Sequence, residues 1–180
     1  MKSVERYRHL RAGLGEWFRG QGFKKAPRVQ LGWHDGTVFV WFQCDQWGWD
    51  QYAGSSFFVN FQVGASPEPW SGPTERVQRF LTDLELEELR RLQNEVIRRL
   101  RLPPREYIEA FKAATVKSSD PGLMLDGLLL QFRPIEQPYR QQQDVSLRYF
   151  DPADVQHWAS FLLGVLPRIV GDLRGQASEA

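Results

Sequence analysis

Apolar positions at the start of the chain recur at helical spacing: Val4, Tyr7, Leu10, Leu14, Trp17 and Phe18, with Arg6, Arg8, Arg11 and Glu16 between them. This predicts an amphipathic helix ending near Gly20 or Gly22. From residue 28 the period changes to two. Arg28-Val29-Gln30-Leu31-Gly32-Trp33 alternates, passes His34-Asp35-Gly36-Thr37, and resumes as Val38-Phe39-Val40-Trp41-Phe42-Gln43. Asp35-Gly36 predicts a two-residue type I′ hairpin turn, which needs positive φ at both central positions. In that register His34 opposes Thr37, Trp33 opposes Val38, Leu31 opposes Val40 and Val29 opposes Phe42, so the six apolar residues share one side. The reverse side carries Gln30, His34, Thr37, Phe39, Trp41 and Gln43. A third strand at 57–63 sorts the same way, with Phe57, Val59, Phe61 and Val63 inward and Phe58, Asn60 and Gln62 opposite. The sheet so built has one greasy and one amphipathic face.

The pattern then breaks. Ala65-Ser66-Pro67-Glu68-Pro69-Trp70-Ser71-Gly72-Pro73 is a proline-rich connector that neither a helix nor a central strand tolerates. Beyond it, Thr82 with Glu85 reads as a capping box that opens a helix carrying Leu89, Leu92, Val96 and Leu100 on one stripe, stopped by Pro103-Pro104. A shorter helix is expected over 105–116, further strands over 127–132 and 145–149, and a final helix capped by Asp151-Pro152-Ala153-Asp154. That helix presents Val155, Trp158, Ala159, Leu162, Val165, Leu166 and Ile169 on one stripe, and Pro167 should kink or end it. The expectation is one α+β domain, residues 1–180. A small, mainly antiparallel sheet of about five strands is packed by an N-terminal helix, a central helical segment and a C-terminal helix. Its sheet-forming half spans about 1–64, the connector 65–73 and the mainly helical half 74–180.

Composition removes several function classes. With 23 Lys plus Arg against 22 Asp plus Glu there is no global field to hold a nucleic-acid backbone by counterion release, so no nucleic-acid partner is expected. Cys44 is the only cysteine, which excludes an internal disulfide framework or a multi-cysteine zinc site and suits a reducing, cytoplasmic compartment. The start of the chain lacks an apolar signal region, and the longest oily stretch, 158–166, is too short to span a bilayer. No membrane partner is expected. The three histidines at 9, 34 and 157 have no metal spacing, and no motif names a cofactor, so neither is assigned.

Three stretches carry a family resemblance: Gly20-Gln21-Gly22-Phe23-Lys24-Lys25, Phe42-Gln43-Cys44-Asp45-Gln46-Trp47-Gly48, and Phe58-Val59-Asn60-Phe61-Gln62-Val63-Gly64. Together they resemble the bacterial domain-of-unknown-function family numbered 4304. Its members show a glycine-phenylalanine-lysine-lysine start and an asparagine-phenylalanine-glutamine strand leading into a tryptophan-glycine loop. Here Trp41-Phe42-Gln43 departs at the asparagine. The resemblance covers about the first third of the chain and implies a small cytosolic bacterial protein, similar in style to immunity or accessory proteins.

Two surfaces are candidates for function. The first is the connection Asp45-Gln46-Trp47-Gly48-Trp49-Asp50-Gln51-Tyr52, longer than a hairpin needs. There Trp47, Trp49 and Tyr52 with Asp45 and Asp50 could form an aromatic, acidic contact surface. The same rings could instead fold back as a lid and belong to the core. The second is the amphipathic sheet face, with Phe39, Trp41, Gln43, Phe58, Asn60 and Gln62, which is either an open platform or covered by the first or last helix.

Catalysis has weaker support. The predicted register separates Cys44 from His34 by about 20 Å at ~3.3 Å per residue, so that pair makes no nucleophile and base, and a buried inert thiol is the plainer reading. The cluster of Arg90, Arg91, Arg98, Arg99 and Arg101 could touch an acidic partner or nucleic acid, but the plainer reading is the solvated side of a helix whose end favours positive charge. The preferred function is therefore a non-catalytic protein-binding module. The alternative is a small-molecule or hydrolytic site worked by Asp45 or Asp50 in a cleft beside the sheet. The oligomeric state is open.

Overall fold

The structure, a computed structural model, describes residues 3–45, 50–115 and 121–179. The first helix, α1 (Ser3–Gly20), ends where the sequence placed it. It buries Tyr7, Leu10, Leu14 and Phe18, the stripe that its periodicity marked. Two short strands follow, β1 (Lys24–Lys25) and β2 (Gly32–His34), then the long β3 (Val38–Asp45), the one-turn α2 (Asp50–Ala53) and β4 (Ser55–Val63). After the connector come β5 (Thr74–Arg76), a 3-10 turn (Val77–Phe80), α3 (Asp83–Ile97), α4 (Arg105–Thr115), α5 (Pro121–Leu130), β6 (Leu147–Tyr149) and α6 (Pro152–Glu179). The fold is α+β, with a six-stranded antiparallel sheet ordered β1-β2-β3-β4-β5. β6 also pairs with β4, so β5 and β6 share one edge of that strand, β5 at Asn60–Gln62 and β6 at Ser55–Phe57.

The hairpin departs from its predicted register. His34 lies opposite Phe39, not Thr37, and Trp33 opposite Val40. The Asp35 side chain causes this: its Oδ1 accepts the Thr37 and Val38 amides at 2.8 and 2.7 Å, and its own amide bonds the Val38 carbonyl at 3.3 Å, so the reversal falls on Gly36 and Thr37, where Gly36 alone has positive φ, +102°. The slip is two residues. Because side chains alternate with period two, the faces survive, and Val38, Val40, Phe42, Phe57, Val59 and Phe61 all enter the main core.

Val29 does change sides. It was expected opposite Phe42 on the greasy face, but residues 26–31 leave the strand and Val29 packs on the outer face with Phe39 and Trp41. Gly32 permits this, since a Cβ there would sit 2.7 Å from Val29 Cγ2 and 3.0 Å from Trp41 Cβ.

The helical half follows its caps. Thr82 and Glu85 form the reciprocal capping box at α3. At α6 Asp151 accepts the Asp154 amide at 3.1 Å, while Asp154 accepts those of Phe150 and Asp151 at 2.7 and 3.2 Å. Of the two outcomes expected at Pro167, a kink or an end, the end does not occur, since α6 runs on to Glu179. The proline is exposed, and the apolar stripe continues beyond it through buried Ile169, Val170 and Leu173, so packing outweighs the lost backbone bond.

Residues 127–132 form no strand. They lie in α5 and the turn after it. A short apolar run has no period to choose between helix and strand, and Pro121 in the first helical position presets a helical φ. Leu125 of α5 packs with Ala53, Tyr107 and Phe111 in a small cluster of its own. Among the described residues, no helix is long and apolar enough to cross a membrane.

Candidate functional site

The inner face of the sheet is closed by α1, α3 and α6, whose apolar stripes join it in one cluster. The outer face is covered by neither terminal helix. Two loops lie on it instead: residues 26–31, through Ala26 and Val29, and the proline-rich connector. Gln62, placed by its alternation on this face, anchors the connector. Its Nε2 donates to Ser71 Oγ at 2.8 Å and to the Glu68 and Ser66 carbonyls at 3.3 and 3.4 Å, and its Oε1 accepts from Thr74 at 3.4 Å. Arg28 and Glu68 link the two covering loops by an exposed ion pair of 2.9 Å.

Beneath this cover Phe39 and Trp41 are buried and stacked, ring centroids 4.6 Å apart. They support a surface without presenting one. Trp70 of the connector meets Trp41 edge-on at 5.6 Å and remains 57% exposed. Its φ is +63°, in the left-handed region that costs a non-glycine residue roughly 1–2 kcal/mol.

Beside it Arg76 of β5 lies 3.9 Å over the Phe58 ring and 5.7 Å from the Trp70 ring. Asn60, fully buried, accepts from Arg76 Nη1 at 2.6 Å, and the exposed Gln43 accepts from the same nitrogen at 3.3 Å. The arginine is thus held in place by two amides and an aromatic ring. Trp70, Arg76, Phe58 and Gln43 form one patch.

The other nominated residues lie elsewhere. Tyr52 of α2 packs edge-on against Tyr107 of α4 at 5.2 Å, in the helical layer and away from that patch. Asp45 closes β3 opposite Ser56, and Asp50 opens α2. Trp47 and Trp49 fall outside the described residues.

A second polar group sits under the inner face. Arg6, on the apolar stripe of α1, is 2% exposed. It donates to Tyr149 Oη and, at 2.5 Å, to Cys44 Sγ, which also bonds the Tyr7 hydroxyl. Burial pushes the Tyr7 hydroxyl well above its ordinary range, and its bond to Cys44 adds to the rise. Arg6 Nε is buried without a partner, and no carboxylate pairs with this guanidinium among the described residues. Cys44 bonds no histidine there either, and His34 is turned to the Gly64 carbonyl at 3.1 Å. Among the described residues no group of His, Cys, Asp and Glu could hold a metal. Arg90 and Arg91 of α3 are committed to their own helix, Arg90 to Glu87 and Arg91 to Glu88 and Glu95, and Arg99, just past its end, to Asp151 and Asp154.

Sequence reasoning missed Trp70, Arg76 and Arg6. Trp70 had a signal: a large ring amid proline, serine and glycine, with no periodic element to bury it. Arg6 had one too, since Arg6, Leu10, Leu14 and Phe18 repeat every four residues and place the cation on the buried stripe. Arg76 had none, because a three-residue strand leaves no periodicity. Compared with known proteins, the chain matches no family model, no curated protein and no solved structure.

Proposed function

We propose that this chain is a non-catalytic binding protein that docks a protein partner on the outer side of its sheet, with Trp70, Arg76 and Gln43 as contact residues. The observation that carries this reading is Trp70, a large ring left more than half exposed and fixed edge-on to a buried tryptophan. Tryptophan and arginine are the residue types over-represented among interface anchors, and both are ordered here before any partner arrives, which lowers the entropy cost of association. The resemblance to the family numbered 4304 agrees with an immunity-like or accessory role, in which a small protein acts by occupying another.

The test is affinity purification with wild-type, Trp70→Ala and Arg76→Ala baits, followed by titration of the recovered partner. The proposal expects one protein retained by the wild type and lost from both variants, with affinity reduced about tenfold or more, the scale of an interface hot spot. Circular dichroism should show the variants folded. Equal recovery on all three baits would exclude this face.

A further inference from the structure

A different surface carries a second binding site. Between α1 and β1 lies a cleft of about 370 Å³, and Arg11, Arg19, Lys24 and Lys25 stand on its walls. All four are exposed, and none makes an ion pair with a carboxylate among the described residues. Glu16, three residues before Arg19 and spaced to pair with it, does not do so. Nearby Asp35 is already engaged by Arg174 of α6. Four cations thus converge on one cleft whose lining holds no carboxylate. A chain of nearly balanced charge concentrates positive potential there.

Two features shape what fits. Gly15 lies between Arg11 and Arg19 and leaves the cleft floor open, with the Trp33 ring 4.0 Å from where its Cβ would be. The opposite wall, β1, pairs only with β2 and ends the sheet. It is a strand edge with unpaired backbone groups. We infer that this cleft is a docking groove for an extended, carboxylate-rich segment of a partner protein, laid along the β1 edge with its acidic side chains toward α1.

The spacing agrees. Arg11 and Arg19 are about 12 Å apart along the helix axis at 1.5 Å per residue. Carboxylates four residues apart on one side of an extended segment repeat at about 13 Å. Single-stranded nucleic acid fits less well, because it gains from stacking bases on exposed rings. The rings here, Phe23 and Trp33, are 3% and 5% exposed and offer no such face. The site is independent of Trp70 and Arg76, so either reading can fail alone.

Fluorescence anisotropy at low salt tests it with three labelled probes: a peptide of alternating glutamate and valine, one of alternating glutamine and valine, and a single-stranded oligonucleotide of matching charge. The acidic peptide should bind and the neutral one should not. Arg19→Glu and Lys24→Glu should each weaken binding about tenfold, and physiological salt should weaken it further. Trp70→Ala and Arg91→Gln should leave it unchanged. All four substitutions are at exposed positions. The proposal is overturned if the acidic peptide fails to bind at low salt, if the reversals leave its affinity intact, or if the oligonucleotide binds as tightly. Sedimentation showing that the chain fills the cleft with a second copy of itself overturns it too.

Discussion

Asp35 shows how one side chain redirects an element. Burial alone would raise its carboxyl, but the Val38 and Thr37 amides and the Arg174 guanidinium outweigh that and hold it below its ordinary value of 3.8. A carboxyl depressed in the folded state contributes stability above its unfolded pKa, and loses it as pH falls through that value toward the folded one. Stability should therefore decline as pH drops below about 4. Asp35→Asn should cost about 1–2 kcal/mol at neutral pH and flatten that decline in urea titrations.

Arg6 poses the opposite case, a buried cation without a carboxylate. Arg6→Ala should destabilise by about 3 kcal/mol through the cavity it leaves. Arg6→Met keeps the volume without the charge and should fall within about 1.5 kcal/mol of wild type, because burying the charge is itself costly. Equal losses for the two, measured by chemical denaturation, would mean that the guanidinium neutralises a negative charge nearby.

At the scale of elements, α1 carries two glycines with opposite expectations. A Cβ on Gly13 would lie 2.7 Å from Ala159 Cβ, so the close approach of α1 and α6 depends on its absence. Gly13→Ala should cost about 1–3 kcal/mol, partly recovered by Ala159→Gly. Gly15 faces only ordinary contacts, at 3.7 Å to Arg11 and 4.0 Å to Trp33. Gly15→Ala should add about 0.5–1 kcal/mol from helix propensity. Thermal melts of the single and double variants would check the contrast. Pro167 makes a related point: an exposed helix breaker is overridden when the residues after it have a core to enter.

For the molecule as a whole, stability should be unevenly distributed. β3 and β4 are paired over eight positions, and the main core reaches them from α1, α3 and α6. Arg168 to Glu85 joins α6 to the start of α3, and Arg174 to Asp35 joins it to the hairpin. By contrast, α4 and α5 share a small cluster in which Ala53 and Leu125 are the buried members among the described residues. Hydrogen exchange should find amides of α4 and α5 opening a few kcal/mol below the global unfolding seen for β3, β4 and the middle of α6. Uniform protection across these elements would contradict that layering.

Local patterns were enough for much of this. The alternation at 38–43 and 57–63 decided which rings face inward, and it held through a register change because a slip of two leaves every side chain on its own face. The Thr82 and Glu85 box and the Asp151 and Asp154 pair started their helices, since a cap satisfies amides only a few residues away. The rest rested on contacts distant in sequence. Whether 127–132 becomes strand or helix depends on the neighbour it packs against, and β5 is a strand only because Asn60–Gln62 offer an edge. The connector's resting place on Gln62, with Trp70 beside Arg76, joins segments whose own sequences hold no trace of one another. Periodicity records which side of an element is apolar, and only the assembled molecule decides what lies against the other side.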